Sequence, residues 1–311
     1  MTPEQEVQRY IATGEHDCLH AAWPGRNILE QMQAGEDGLR AALIEEVRRR
    51  TAGRDLPSLP PGFDASQSVL GKVGPMVRGL FTAREQPVLL NLFERSLVFV
   101  THDNIEKLLI EIQYLFTAWQ IANLYLGSLD LPGLDGQPVE LVGLSEATTF
   151  YVSMAYFRDG DPFADWVVHE AAHVFHNWKR SRAGLPHTRT REFLLEIAYA
   201  KREVFAYACQ AYARILERAQ GPADGHRLHA EYAQKWVPES EGLDRPELVE
   251  VLAEAVGARN GWKHILGLCS SSSRPRLSTR TVRADTQATR TVSQSPGSDE
   301  PLPPALRGRS L

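Results

Sequence analysis

Residues 167–175 read VVHEAAHVF, an apolar run with two histidines and a glutamate set into it. Val167, Val168, Ala171, Ala172, Val174 and Phe175 leave no polar stripe, so a helix here must be covered on all sides. Such a helix demands more apolar helix around it. It also demands partners for His169, Glu170 and His173, because ionisable groups buried alone are costly. Residues four apart on a helix lie on one face about a turn apart. His169 and His173 can therefore each turn an imidazole nitrogen toward one ion about 2 Å away, as zinc requires. Glu170 lies about 100° round the helix from His169, badly placed to ligate that ion but able to reach a water bound to it. Metal-bound water ionises near neutrality, and a carboxylate can take its proton. The spacing thus specifies two metal ligands and one general base. Alanines at the two middle positions leave room for a metal and a substrate.

The rest of the chain can supply the cover. Of 311 residues 43% are apolar and 23% charged, which suits a soluble protein with a sizeable core in one large or two smaller domains. A net charge of −5 argues against a nucleic-acid partner. Cys18, Cys209 and Cys269 are too few and too scattered for a disulfide framework or a thiolate metal site. The first residues show neither a basic nor an apolar signal region. The longest apolar stretch, 108–127, is interrupted by Glu111, Gln113, Gln120 and Asn123 and reads as a buried helix, not a membrane span. The expectation is a cytoplasmic protein with no membrane partner. Nothing in the sequence sets its oligomeric state.

Along the chain, residues 1–60 read as helical, with one amphipathic helix ending at 44–50 and a loop at 51–64. Two helices are predicted over 83–127, the second opening at Thr101–Asn104, where Asp103 or Asn104 can cap it. The segments 138–144 and 148–157 are rich in β-formers and predict a small sheet, the second as an edge strand or a plain core strand. Asp161 and Pro162 are set to open the histidine-bearing helix. A loop at 183–188, a long helix over 189–219 and two or three shorter helices up to Leu268 follow. The last forty residues are dominated by Ser, Thr, Arg and Pro and predict a disordered tail. That tail holds seven Arg against two Asp and one Glu, net +4, so with −5 overall the remainder carries −9. The fold expected is mainly α with a small β-sheet (α+β). An N-terminal helical region spans 1–95, a catalytic domain 96–268 and a tail 269–311.

Zinc needs a third protein ligand and, for catalysis, an open fourth position. An HExxHxxGxxH pattern would require glycine at position 176 and histidine at 179, and the chain has His176 and Lys179. His176, seven residues after His169, is too far along the helix to share the ion, and reads as supporting the site, facing substrate or packing. In the next predicted helix Glu192, Glu196 and Glu203 share roughly one face. With antiparallel packing about Leu185–Pro186, Glu196 and Glu203 flank the level of the motif, and Glu192 lies nearer Lys179. Each of these glutamates could equally be a surface charge paired with Arg191, Lys201 or Arg202.

His169–Asn177 (HEAAHVFHN) followed by Glu203-Val204-Phe205-Ala206 resembles the gluzincins, HExxH metallopeptidases whose third ligand is a glutamate on the following helix. The resemblance covers about 167–210. It implies a zincin-like domain with one zinc per chain held by His169, His173 and Glu203, with Glu170 as general base. It also implies hydrolysis of an amide bond in a peptide or protein substrate. The spacing departs from the family's, since Glu203 stands thirty residues after His173 where about nineteen is common. Glu192 meets that count without the pattern. The family's GxMEN-type substrate motif is not found, so aminopeptidase specificity is not implied. Tyr207, Tyr212, His187 and Tyr232 are candidate donors to a transition-state oxyanion. The alternative is a non-catalytic zinc-binding or scaffold protein of the same fold.

Overall fold

The structure is a computed structural model and describes residues 1–270 apart from 140, 159, 189, 190 and 241. Of the expected tail, 269–311, the residues from 271 onward lie outside the described residues, and Cys269 is instead the buried last residue of a helix. The described residues belong to one packed unit. In chain order they form α1 (Pro3–Thr13), α2 (Ile28–Thr51), α3 (Ala65–Leu80), α4 (Gln86–Phe93), β1 (Leu97–Val100), α5 (Ile105–Glu111) and α6 (Leu115–Ser128). Then come β2 (Gly143–Glu146), β3 (Thr149–Ser153), α7 (Trp166–Asn177), α8 (Arg202–Arg218), α9 (Pro222–Lys235), α10 (Arg245–Gly257) and α11 (Gly261–Cys269). The architecture is mainly helical with one small three-stranded sheet, as expected. Among the described residues no helix is long and apolar enough to cross a membrane.

The sheet order is β1-β3-β2, with β3 parallel to β1 and antiparallel to β2. β3 is therefore the central strand and offers no free edge, which corrects one of the two expectations for 148–157. The reason is Leu97–Val100, a stretch expected within a helix that instead pairs with Phe150–Ser153. Alternation along β3 divides the apolar interior. Phe150 and Val152 face a cluster that contains α7 and α8, and Tyr151 faces a second cluster built on α1, α2, α5 and α6. Packing crosses residue 95, since α3 and α4 share the first cluster with α7, α8 and α11. Asn104 precedes α5 but does not cap it. Its Oδ1 accepts from Thr101 N and its Nδ2 donates to Phe99 O, closing the turn after β1.

The helix carrying the histidines starts later than expected. Asp161 accepts from Phe163 N and closes a turn, and Asp165 is the cap of α7, accepting from Val168 N. Asp165 is almost wholly buried and is paired with Lys72 of α3 at 2.9 Å. The same ammonium reaches Glu217 near the end of α8, so Lys72 ties α7 and α8 to α3.

The largest departure lies just after α7. A continuous helix was expected over 189–219, but α8 begins only at Arg202. The described residues from Arg191 to Lys201 run in bends and one short 3-10 turn instead. Tertiary hydrogen bonds hold this path: Leu194 N donates to Trp178 O, Leu195 N to Phe175 O and Ala198 N to Cys269 O. Leu194, Leu195 and Ile197 are all buried along it. The segment folds over the end of α7 and delivers the start of α8 beside the histidines.

Candidate metal centre

Every residue of α7 from Val167 to Ala172 is buried, and so are Val174, Phe175 and His176. His169 is 4% exposed, while the side chains of His173 and Glu203 retain 17% and 36% exposure. The group is thus closed at the His169 end and open to solvent at the other. His169 Nε2 and His173 Nε2 face each other at 3.0 Å, and His173 Nε2 stands 3.7 Å from Glu203 Oε1. These three residues form a group whose ligand atoms all lie within 4.8 Å of one another, and it could hold a metal ion.

Glu203 sits in the first turn of α8, where a carboxylate is favoured by the unpaired backbone N–H groups. Glu203, Tyr207 and Gln210 fall at helical spacings of four and seven, forming one stripe toward α7. The other two glutamates are used elsewhere. Glu196 turns back on its own chain, its Oε1 accepting from Glu192 N and Phe193 N. Glu192 pairs with Lys179 at 2.6 Å. Of the three candidates, Glu203 alone meets the histidines.

The electrostatics follow from burial. It pushes His169 well below the ordinary histidine value, His173 down to about 4 and His176 down to about 3, so all three rings are neutral at neutral pH. Neutral imidazole is the metal-binding form. Glu170 points toward β2: a Cβ added at Gly143 would stand only 3.0 Å from Glu170 Oε1. Burial raises the Glu170 carboxyl to about 8, opposed by a hydrogen bond from Ser145 and reinforced by the Glu203 charge. Burial also raises Glu203.

The donor set fits a cation on two counts. Two neutral imidazole nitrogens 3.0 Å apart repel unless a proton or a cation lies between them. His169 Nδ1 is buried without a hydrogen-bond partner, and so is Gln210 Oε1. The two side chains interact, short of good hydrogen-bond geometry, in the sense that favours a proton on His169. A proton moved to His169 Nδ1 would leave the Nε2 lone pair for a metal.

The other candidates separate cleanly. Tyr207 reaches the site, its ring edge-on to His169 at 4.5 Å. Tyr212 packs on Trp262, and Tyr232 packs on Phe163. His187 is exposed. His176 is neither a ligand nor plain packing, because its Nε2 lies 3.1 Å from His173 Nδ1. Gly143, Ser145, Asn177 and Gln210 are site residues that motif reasoning missed. Gln210 alone had a signal, its spacing of seven from Glu203.

Compared with known proteins, the chain matches no family model, no curated protein and no solved structure.

Proposed function

We propose that the chain is a zinc-dependent hydrolase of the gluzincin type, a peptidase that cleaves an amide bond in a peptide or protein. The observation that carries this reading is the convergence of His169, His173 and Glu203 along one face of a buried helix, with Glu170 beside them. Two imidazoles and one carboxylate are a donor set zinc accepts in its catalytic sites. Bound there, the metal would acidify a coordinated water and polarise the scissile carbonyl. Among the described residues no fourth His, Cys, Asp or Glu joins the group, which favours a catalytic site over a closed structural one.

The chain's own groups supply the rest. Glu170 takes the proton of the attacking water as a carboxylate and hands it to the leaving amine; burial, which raises its carboxyl to about 8, favours holding that proton between the two transfers. Gly143 gives that carboxylate its space, and Ser145 orients it. One edge of β2 is bonded to β3, and among the described residues no strand pairs with the other. An extended peptide can add along that edge, next to Glu170. Tyr207, whose ring lies edge-on to His169, is the candidate donor to a developing oxyanion.

The test is Glu170→Gln, assayed against a mixed-peptide library and an unfolded protein substrate. Turnover should vanish while one zinc per chain is retained, and His169→Ala should lose both. Full activity in Glu170→Gln would overturn the general-base role.

A further inference from the structure

Beyond the three ligands, a line of hydrogen bonds leads outward from His173. His173 Nδ1 lies 3.1 Å from His176 Nε2, and His176 Nδ1 lies 3.1 Å from Asn177 Oδ1. Asn177 Oδ1 also accepts from Arg202 Nη1 at 3.3 Å. Arg202 and Asn177 come from different elements, the start of α8 and the last residue of α7. The line therefore links the two helices that carry the metal group.

The direction of every proton in this line is determined. A guanidinium can only donate, so the atom of Asn177 facing Arg202 is its carbonyl oxygen. That oxygen can only accept, so His176 Nδ1 carries a hydrogen. A neutral imidazole with hydrogen on Nδ1 has its lone pair on Nε2. His176 Nε2 is thus an acceptor, and His173 Nδ1 must donate to it. His173 is then left with its lone pair on Nε2, the atom that faces His169 and Glu203.

We infer that Arg202, Asn177 and His176 form a tautomer relay that holds His173 in the Nδ1–H form and aims its Nε2 lone pair at the metal position. His176 and Asn177 are positioning residues that act through His173. The inference rests on the metal reading above. It extends that reading by naming what pre-sets a ligand before any ion arrives. Free histidine favours the opposite tautomer, with hydrogen on Nε2, so the relay works against an intrinsic preference. His176 is 2% exposed, so packing holds its ring in place beside His173 Nδ1. Asn177 is exposed, and its loss would let water accept from His176 instead.

The test begins on the metal-free wild-type protein at pH 8, with nitrogen-15 NMR of labelled histidine. His173 and His176 should both show the Nδ1–H tautomer. An Nε2–H signal from His173 would overturn the relay. Zinc affinity, from competition with a chromophoric chelator, is the second readout. His176→Phe keeps an aromatic ring but removes the acceptor, and should weaken zinc about 10- to 100-fold, as loss of a ligand's outer partner generally does. His176→Gln restores an acceptor and should recover most of that loss. Asn177→Ala should cost only a few-fold. If the role of His176 were packing alone, His176→Phe would bind zinc as tightly as wild type and His176→Gln would not rescue. Failure of the metal reading would look different: wild type would bind no zinc while its metal-free tautomers stood as stated.

Discussion

The helix α7 and the segment after it, Arg191–Lys201, were both expected to be helical, and only α7 is. In α7 the ligand spacing is local: His169 and His173 meet because four residues make about one turn. In Arg191–Lys201 the path is set from outside, by carbonyls of Phe175, Trp178 and Cys269. The contrast shows how a group able to hold a metal can be assembled from one regular and one irregular part. His169 and His173 need only a helix. Glu203 needs the chain to turn over the end of that helix and start a new one at Arg202.

Four substitutions sharpen the contrast, from the largest effect to the smallest. Leu195→Ala removes a buried side chain whose backbone is bonded to Phe175 O at 2.7 Å. It should cost about 3 kcal/mol in denaturant unfolding, and a zinc-loaded sample should lose zinc affinity too, because the segment that delivers Glu203 is loosened. Lys72→Met leaves buried Asp165 without its cation at the start of α7. Lys72 is partly exposed, so the expected loss is about 2 kcal/mol, below the range for a fully buried pair. Glu196→Ala frees two backbone N–H groups to find water and should cost about 1 kcal/mol, with zinc binding unchanged. Glu192→Ala breaks a surface pair with Lys179 and should fall within about 0.5 kcal/mol of wild type. If Glu196→Ala released zinc as Glu203→Ala should, the irregular segment would carry a ligand and the division of labour would fail.

How much was legible follows the same line. HEAAH made α7, its burial and the meeting of His169 with His173 legible, because periodicity and apolarity agree there. β3 and the last three helices follow local composition, while β2 starts five residues later than the β-rich stretch at 138–144 suggests. β1 was missed because four apolar residues cannot be told from helix, and its partner β3 lies some fifty residues on. That miss also moved the free edge from β3 to β2. Asp161 was expected to cap this helix, and Asp165, buried against Lys72, does so instead. Leu194, Leu195 and Ile197 suit a helix by spacing, and only the carbonyls they meet rule it out. Glu203 was favoured over Glu196 and Glu192 by resemblance, and its place beside the histidines follows from the break in that helix. Asn177 and Gly143 carried no signal, because their roles depend on which strand and which helix end come near.

The central claim is that His169, His173 and Glu203 hold one metal ion. It is tested most directly by elemental analysis of the purified wild type beside Glu203→Ala and a His169→Ala, His173→Ala double variant. About one zinc per wild-type chain, much reduced in Glu203→Ala and lost in the double variant, is the predicted result. No zinc in the wild type after incubation with excess zinc at neutral pH would contradict the account and leave α7 as a buried helix with an internal histidine network.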